Sequence, residues 1–203
     1  MKFVGIMGGT FDPIHLGHLV AAECARETAS LDEVWFMPAH VPPHKSHRPA
    51  ASAEQRLEMA RLAVQSNPHF RVCDWEIKHG GVSYTLDTVH GLRREYPDIE
   101  WAWIIGGDMV AYLPQWHHID ELMEQIRFVG LHRPGASWWD AAKLPAAWSS
   151  RLIESEMPQM DISSTDIRQR LAEGRSTKYI VPNEVQQYIA RWGLYESDAR
   201  TTD

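Results

Sequence analysis

The sequence predicts an α/β fold of three layers, in which a central parallel sheet is covered by helices on both faces. Three observations carry this expectation. Short apolar runs of strand length recur along the 203 residues. Stretches with helical patterning lie between them, and each run is bounded by Gly, Pro or Asp. Parallel neighbours need crossover connections, which helices supply, so the arrangement is Rossmann-like and its ligands belong beyond the carboxyl ends of the strands.

Taken in chain order, residues 3–7, 34–38, 99–105 and 127–132 read as buried strands, and 70–75 as a weaker one. Residues 16–28, rich in Ala and Glu, read as a helix. Ser52-Ala53-Glu54-Gln55 is a capping box that opens a helix to about residue 66, with Leu57, Ala60, Leu62 and Val64 on its apolar face. Ser163-Ser164-Thr165-Asp166 opens another. Pro182, at a first-turn position, opens a last helix over 183–192, stopped by Gly193. Residues 1–196 read as one domain, and the polar stretch 197–203 as a flexible tail. Residues 40–52 and 134–145 read as long loops, which in compact domains are often functional.

Composition narrows the function. At 44% hydrophobic and 23% charged residues the chain can bury a core. A net charge of −7 without a long basic run argues against tracking a nucleic-acid backbone. An anionic ligand would therefore need a local site. The N-terminal run MKFVGIMGG is too short for a signal-peptide core or a membrane span, which predicts a cytoplasmic protein with no membrane partner. Cys24 and Cys73 lie far apart without CxxC spacing and read as reduced packing residues.

The first strand runs through Gly8, Gly9, Thr10 and Phe11 into Asp12-Pro13-Ile14-His15-Leu16-Gly17-His18 and then into a helix. Glycines after a strand let the backbone approach a phosphate. The helix start adds unpaired N–H groups and a partial positive charge, so this is an anion cradle. It is neither GxGxxG nor a Walker loop. His15 and His18, three apart at the helix start, share one side of it. A metal pair would call for HExxH or a third ligand, and neither is present. His40, His44 and His47 lie in a proline-rich loop without cysteines, which favours a mobile acceptor-binding loop over zinc. Asp12 reads as an Asx-type turn residue.

GGTFDPIHLGHL resembles the HxGH signature of the nucleotidyltransferase superfamily. The blocks MPAHVPPHK, SYTLDT, IIGGDMVAYLPQWHHIDEL and ISSTDIRQRL resemble, in order and spacing, the bacterial nicotinate-nucleotide adenylyltransferases. The resemblance implies transfer of the adenylyl group of ATP to nicotinate mononucleotide with release of pyrophosphate, toward NAD, with Mg2+ held mainly by substrate phosphates. It assigns His18 to the α-phosphate and its transition-state oxygens, and His15, Gly8, Gly9, Thr10 and Phe11 to the phosphate chain. Ser164, Thr165 and Arg168 fall around the β- and γ-phosphates, and Thr85 at the nicotinate end. Lys45 falls at the acceptor phosphate or carboxylate.

Residue chemistry extends these assignments. Trp116 offers an indole face to a flat pyridine ring. Asp108, just past a strand end, is placed to accept from ribose hydroxyls, with a helix N-cap as its competing role. Arg133, beyond the strand ending at His132, is at the same edge and expected near the adenosine side or the acceptor.

The attacking phosphate monoester, with a second pKa near ~6, is already anionic at neutral pH and needs no general base. The site must instead align two anions and stabilise charge at the α-phosphorus.

Other readings stay open from sequence. Nicotinamide mononucleotide is an alternative acceptor. Phosphopantetheine adenylyltransferases usually carry Thr at the position of His15, and cytidylyltransferases lack ISSTDIR in this form. HLGH also resembles the HIGH of class I aminoacyl-tRNA synthetases, but no KMSKS-like partner accompanies it. A sensor that binds ATP without turnover would keep the cradle and lose the phosphate-gripping groups. Oligomeric state is not legible.

Overall fold

The computed structural model describes residues 1–41, 48–132, 134 and 144–196, with the backbone alone at Asp108. Lys45, His44, His47, Arg133 and the tail 197–203 lie outside the described residues.

The chain folds as β1 (Lys2–Gly9), α1 (Leu16–Ala29), β2 (Glu33–Pro38), α2 (Ala53–Val64), β3 (Phe70–Val72), α3 (Trp75–His79), α4 (Thr85–Glu95) and β4 (Ile99–Gly106). It continues with α5 (Gly107–Val110), a 3-10 turn (Leu113–Gln115), α6 (Ile119–Gln125) and β5 (Arg127–His132). A second 3-10 turn (Ala146–Arg151), β6 (Leu152–Glu156), α7 (Ser164–Ala172) and α8 (Asn183–Trp192) complete it.

The six strands form one sheet in the order β3-β2-β1-β4-β5-β6, and every pairing is parallel. The order reverses between β1 and β4, so a crevice opens where Gly9 and Gly106 end adjacent strands.

Strand alternation divides the core into two layers. On one face Phe36, Ala102, Ile104 and Val129 pack with Ala21, Ala22 and Ala25 of α1, Ala60 of α2 and Val185 of α8. On the other, Ile6, Trp35, Trp101 and Trp103 pack with Val89 of α4 and Leu122 of α6. The tryptophans crowd one face, and α1 approaches the opposite face closely through its alanines. No described helix is long and apolar enough to cross a membrane.

Some expected boundaries move. Strand β3 stops at Val72, because Trp75 starts α3 and lays its indole against α4, where a Cβ on Gly91 would come within 2.0 Å of it. The capping box at Ser52 forms, with Ser52 Oγ accepting from Gln55 N–H at 3.2 Å, but α2 ends at Val64. Pro182 is the N-cap of α8 rather than part of its first turn, and Gly193 closes that helix in the left-handed region. Strand β6 escapes the sequence reading because it lies at the sheet edge and its LIESE run is neither apolar throughout nor cleanly alternating.

Candidate active site

The loop leaving β1 is the centre of the candidate site. Phe11 adopts a left-handed backbone at φ 51°, which only tertiary support makes tolerable for a bulky residue. That support is visible in its ring, which is buried, meets the His18 ring edge-on at 5.1 Å and leans on Phe36 at 5.9 Å. A Cβ on Gly9 would sit 2.8 Å from the Phe11 ring, so packing alone requires the second glycine of GGT.

His15 is the N-cap of α1, and its ring stacks on that of His18 with 3.7 Å between centroids. Burial holds its pKa down at about 4, so the imidazole is neutral at neutral pH. Gly17 makes this geometry possible, since a Cβ there would come within 3.0 Å of His15 Nδ1. His18 Nδ1 accepts the backbone N–H of His15 at 3.2 Å. An accepting Nδ1 carries no proton in the neutral ring, which makes Nε2 the N–H nitrogen of His18. The helix start thus presents a tautomer defined by its own backbone.

Asp12 is not the Asx-turn residue expected from sequence. Its buried carboxylate accepts from Ala50 N–H at 2.8 Å, Ala51 N–H at 3.0 Å and Tyr195 Oη at 2.8 Å, and Arg168 lies 3.8 Å away. These partners reach it from the α2 entrance, from α7 and from the segment after α8 rather than from its own turn. Burial and the Asp12 charge push the Tyr195 phenol well above its ordinary range, so it stays a donor.

Arg168 donates to the Asp12 carbonyl at 2.7 Å and reaches Thr165 Oγ1 at 3.3 Å, while Ser164 Oγ donates to the Pro13 carbonyl at 2.8 Å. The ISSTDIR block is therefore fastened to the GGTFDP loop. Ser163 is its N-cap, accepting from Asp166 N–H at 3.0 Å.

Arg56 is a residue the sequence reading passed over, because an arginine within an amphipathic helix looks like surface charge. It is 1% exposed. Its guanidinium donates to the Thr10 and Ala39 carbonyls at 2.8 Å each and to the His40 carbonyl at 3.3 Å, joining the exits of β1 and β2. Burial lowers its pKa, yet it remains a cation at any pH the fold survives.

At the end of β1 a cavity of about 430 Å³ is lined by Gly8, Gly9 and Thr10 together with Thr85, Trp103 and Trp116. The structure thus brings the first glycines onto the same wall as two expected acceptor residues. Trp116 is half-buried and rests edge-on against Phe128 at 5.9 Å, so it serves the core and the cavity at once. Thr85 opens α4, whose N-cap, Tyr84, offers no side-chain cap. The first N–H groups of that helix are left to other acceptors.

Glu76, also missed from sequence, lines this cavity almost fully buried. Thr88 Oγ1 donates to it at 2.9 Å, and the Ser83 hydroxyl donates as well; burial raises its pKa. Ser83 Oγ in turn accepts the His40 N–H at 3.1 Å, tying the cavity wall to the β2 exit. For Asp108, Gly106 is the N-cap of α5, which removes the competing cap role; the residue stands in the first turn beyond β4.

A sequence profile of the cytidylyltransferase-like family matches residues 6–170. The probable nicotinate-nucleotide adenylyltransferases of Bacillus pumilus and Bacillus anthracis are each 44% identical over 197 residues, covering 97% of this chain and all of theirs. The fold is shared with the Plasmodium falciparum nicotinic acid mononucleotide adenylyltransferase complexed with NaAD. That likeness has a TM-score of 0.77 at 18% identity and covers 96% of this chain and 98% of that one.

Proposed function

Because this chain belongs to the cytidylyltransferase-like family and, by full-length likeness, to its nicotinate-nucleotide adenylyltransferases, we propose that it transfers the adenylyl group of ATP to nicotinate mononucleotide. Nicotinate adenine dinucleotide and pyrophosphate are the products. The observation that carries the reading is one loop serving two purposes. Residues 8–10 line the cavity with Thr85 and Trp116, while Phe11 supports His18 beside the stacked His15. A slot for a flat ring and a set of phosphate donors are therefore built on consecutive residues.

The chemistry asks for little more. The acceptor phosphate is already a nucleophile, and it attacks the α-phosphorus in line as the bond to pyrophosphate breaks and the electron pair leaves with it. His18 Nε2–H, fixed as a donor by the His15 backbone, meets the oxygens that gain charge in the transition state. Neutral His15 holds the phosphate chain without competing as a base. The first turn of α7, with Thr165 and Arg168, contacts the β- and γ-phosphates. Arg168 has five N–H donors, enough to keep its tie to Asp12 and still bind an anion. Asp108 binds the ribose. Lys45 and Arg133 belong to the acceptor end in this reading.

Among the described residues no group of three or more His, Cys, Asp or Glu is placed to hold a metal ion. In this reading, by family resemblance, magnesium would be held mainly by the substrate phosphates, whose charge it would neutralise.

The test is pyrophosphate release from the full chain with ATP and each pyridine mononucleotide in turn. Release that requires both ATP and nicotinate mononucleotide is expected. ATP binding without release, or a clear preference for the amide, would contradict the proposal.

A further inference from the structure

Arg56 of α2 is a buried cation whose described hydrogen-bond partners are all neutral carbonyls, and its Nε–H is buried without an acceptor. Taking a guanidinium out of water is costly, and neutral carbonyls offset that cost less than a carboxylate would. What the arrangement does achieve is to fix the direction of the peptides it holds.

One nitrogen, Nη1, takes the carbonyls of Thr10 and Ala39 at 2.8 Å each. Both belong to trans peptides, since the one cis bond among the described residues is Asp12-Pro13. In a trans peptide the next N–H points opposite to the carbonyl, so a carbonyl drawn toward α2 sends the following N–H away from it. At Ala39 the outcome is visible: the His40 N–H meets Ser83 Oγ at 3.1 Å, and Ser83 lines the cavity at the end of β1. At Thr10, which lines the same cavity, the following N–H is that of Phe11, and no group among the described residues accepts it. The Phe11 ring, edge-on to His18, fixes this loop from its other side. The guanidinium also occupies three carbonyl oxygens whose partial negative charge would oppose an anion at this edge of the sheet. A backbone N–H held in advance in one direction costs no reorganisation when an oxyanion arrives.

Resting on the adenylyltransferase reading above, we propose that Arg56 is a positioning residue for the acceptor phosphate: by holding the Thr10 carbonyl from behind, it aims the Phe11 N–H at that phosphate. Arg56 itself touches no substrate. Its influence is confined to the phosphate, and the ring and ribose of the acceptor bind independently of it.

The experiment uses full chains of wild type, Arg56→Gln and Arg56→Lys, with 15N-labelled phenylalanine in the wild type. On adding nicotinate mononucleotide the wild-type Phe11 amide proton should shift downfield; on adding the riboside, which lacks the phosphate, it should stay in place. By calorimetric titration, Arg56→Gln should bind the mononucleotide about tenfold more weakly, the scale of one hydrogen bond to a charged group, with affinity for the riboside unchanged. Arg56→Lys keeps the cation without the planar fork and should lose about threefold, again for the mononucleotide alone. It carries the comparison if the glutamine variant does not fold. A role in stability alone would weaken both ligands alike. An unmoved Phe11 amide in the wild type, equal losses for the two ligands, or no loss in the folded variants would overturn the assignment. Because binding is read apart from turnover, a wild type that shows the Phe11 shift yet releases no pyrophosphate would contradict the adenylyltransferase reading while leaving Arg56 in its role.

Discussion

At the residue scale two stacked imidazoles, those of His15 and His18, differ in burial and in partners. His18 is a donor whose tautomer is set by the His15 backbone N–H. His18→Ala should lower kcat on the order of 10²–10³-fold, the usual effect of removing one transition-state donor, with near-normal thermal unfolding. A folded variant with wild-type turnover would remove His18 from the chemistry. His15 has its pKa moved from 6.5 to about 4, so the unfolded chain binds the extra proton first as pH falls. Its contribution to stability is complete above about 6.5 and is lost progressively toward about 4, amounting to roughly 3 kcal/mol. Urea unfolding between pH 7 and 4.5 should show that decline, and His15→Gln should flatten it. The HLGH spacing made this pair legible in the sequence, because three residues along a helix return to one side. Asp12 was not legible: its partners Ala50, Ala51 and Tyr195 stand 38, 39 and 183 residues away.

At the element scale the site is a junction of chain ends. Arg56 on α2 holds the exits of β1 and β2 together through three carbonyls, and Tyr195, just beyond α8, donates to Asp12 in the GGTFDP loop. Arg56→Met would leave those carbonyls without their donor in a buried setting. It should destabilise the fold by roughly 3 kcal/mol, measured by denaturant unfolding. Tyr195→Phe removes one hydroxyl from a buried carboxylate, at a cost of about 1.5–3 kcal/mol. Since Asp12 also bears on Arg168, its kcat should fall several-fold while affinity for the acceptor holds; unchanged kcat would show that α8 supports the fold alone. The helices of this junction were readable from their caps, Ser52 and Ser163 on the N side and Gly193 on the C side. Their mutual contacts were not, since the hydrogen bonds that join them run between side chains and distant loop backbone.

At the scale of the whole molecule, the parallel order β3-β2-β1-β4-β5-β6 places two glycine-bearing strand ends, Gly9 and Gly106, side by side at the switch point. Apolar runs sufficed to predict the central strands, because strands buried on both faces are apolar throughout. The edge strand β6 and the short helices α3 and α5 were lost for the converse reason: half-exposed or one-turn elements carry too little periodic signal. Motif resemblance picked out residues 8–10, Thr85 and Trp116, which line one cavity, yet the buried Glu76 in its wall and Arg56 on the carbonyls beside it carry no motif that marks them in sequence. The architecture leads to one chemical claim, that an acceptor phosphate in the cavity attacks the α-phosphorus of ATP directly, without a covalent enzyme intermediate. The most direct measurement is the stereochemical course with ATP made chiral at the α-phosphorus by sulfur. Inversion is predicted, with the labelled phosphorus recovered in the dinucleotide product. Retention, or recovery of the label in AMP alone, would contradict it.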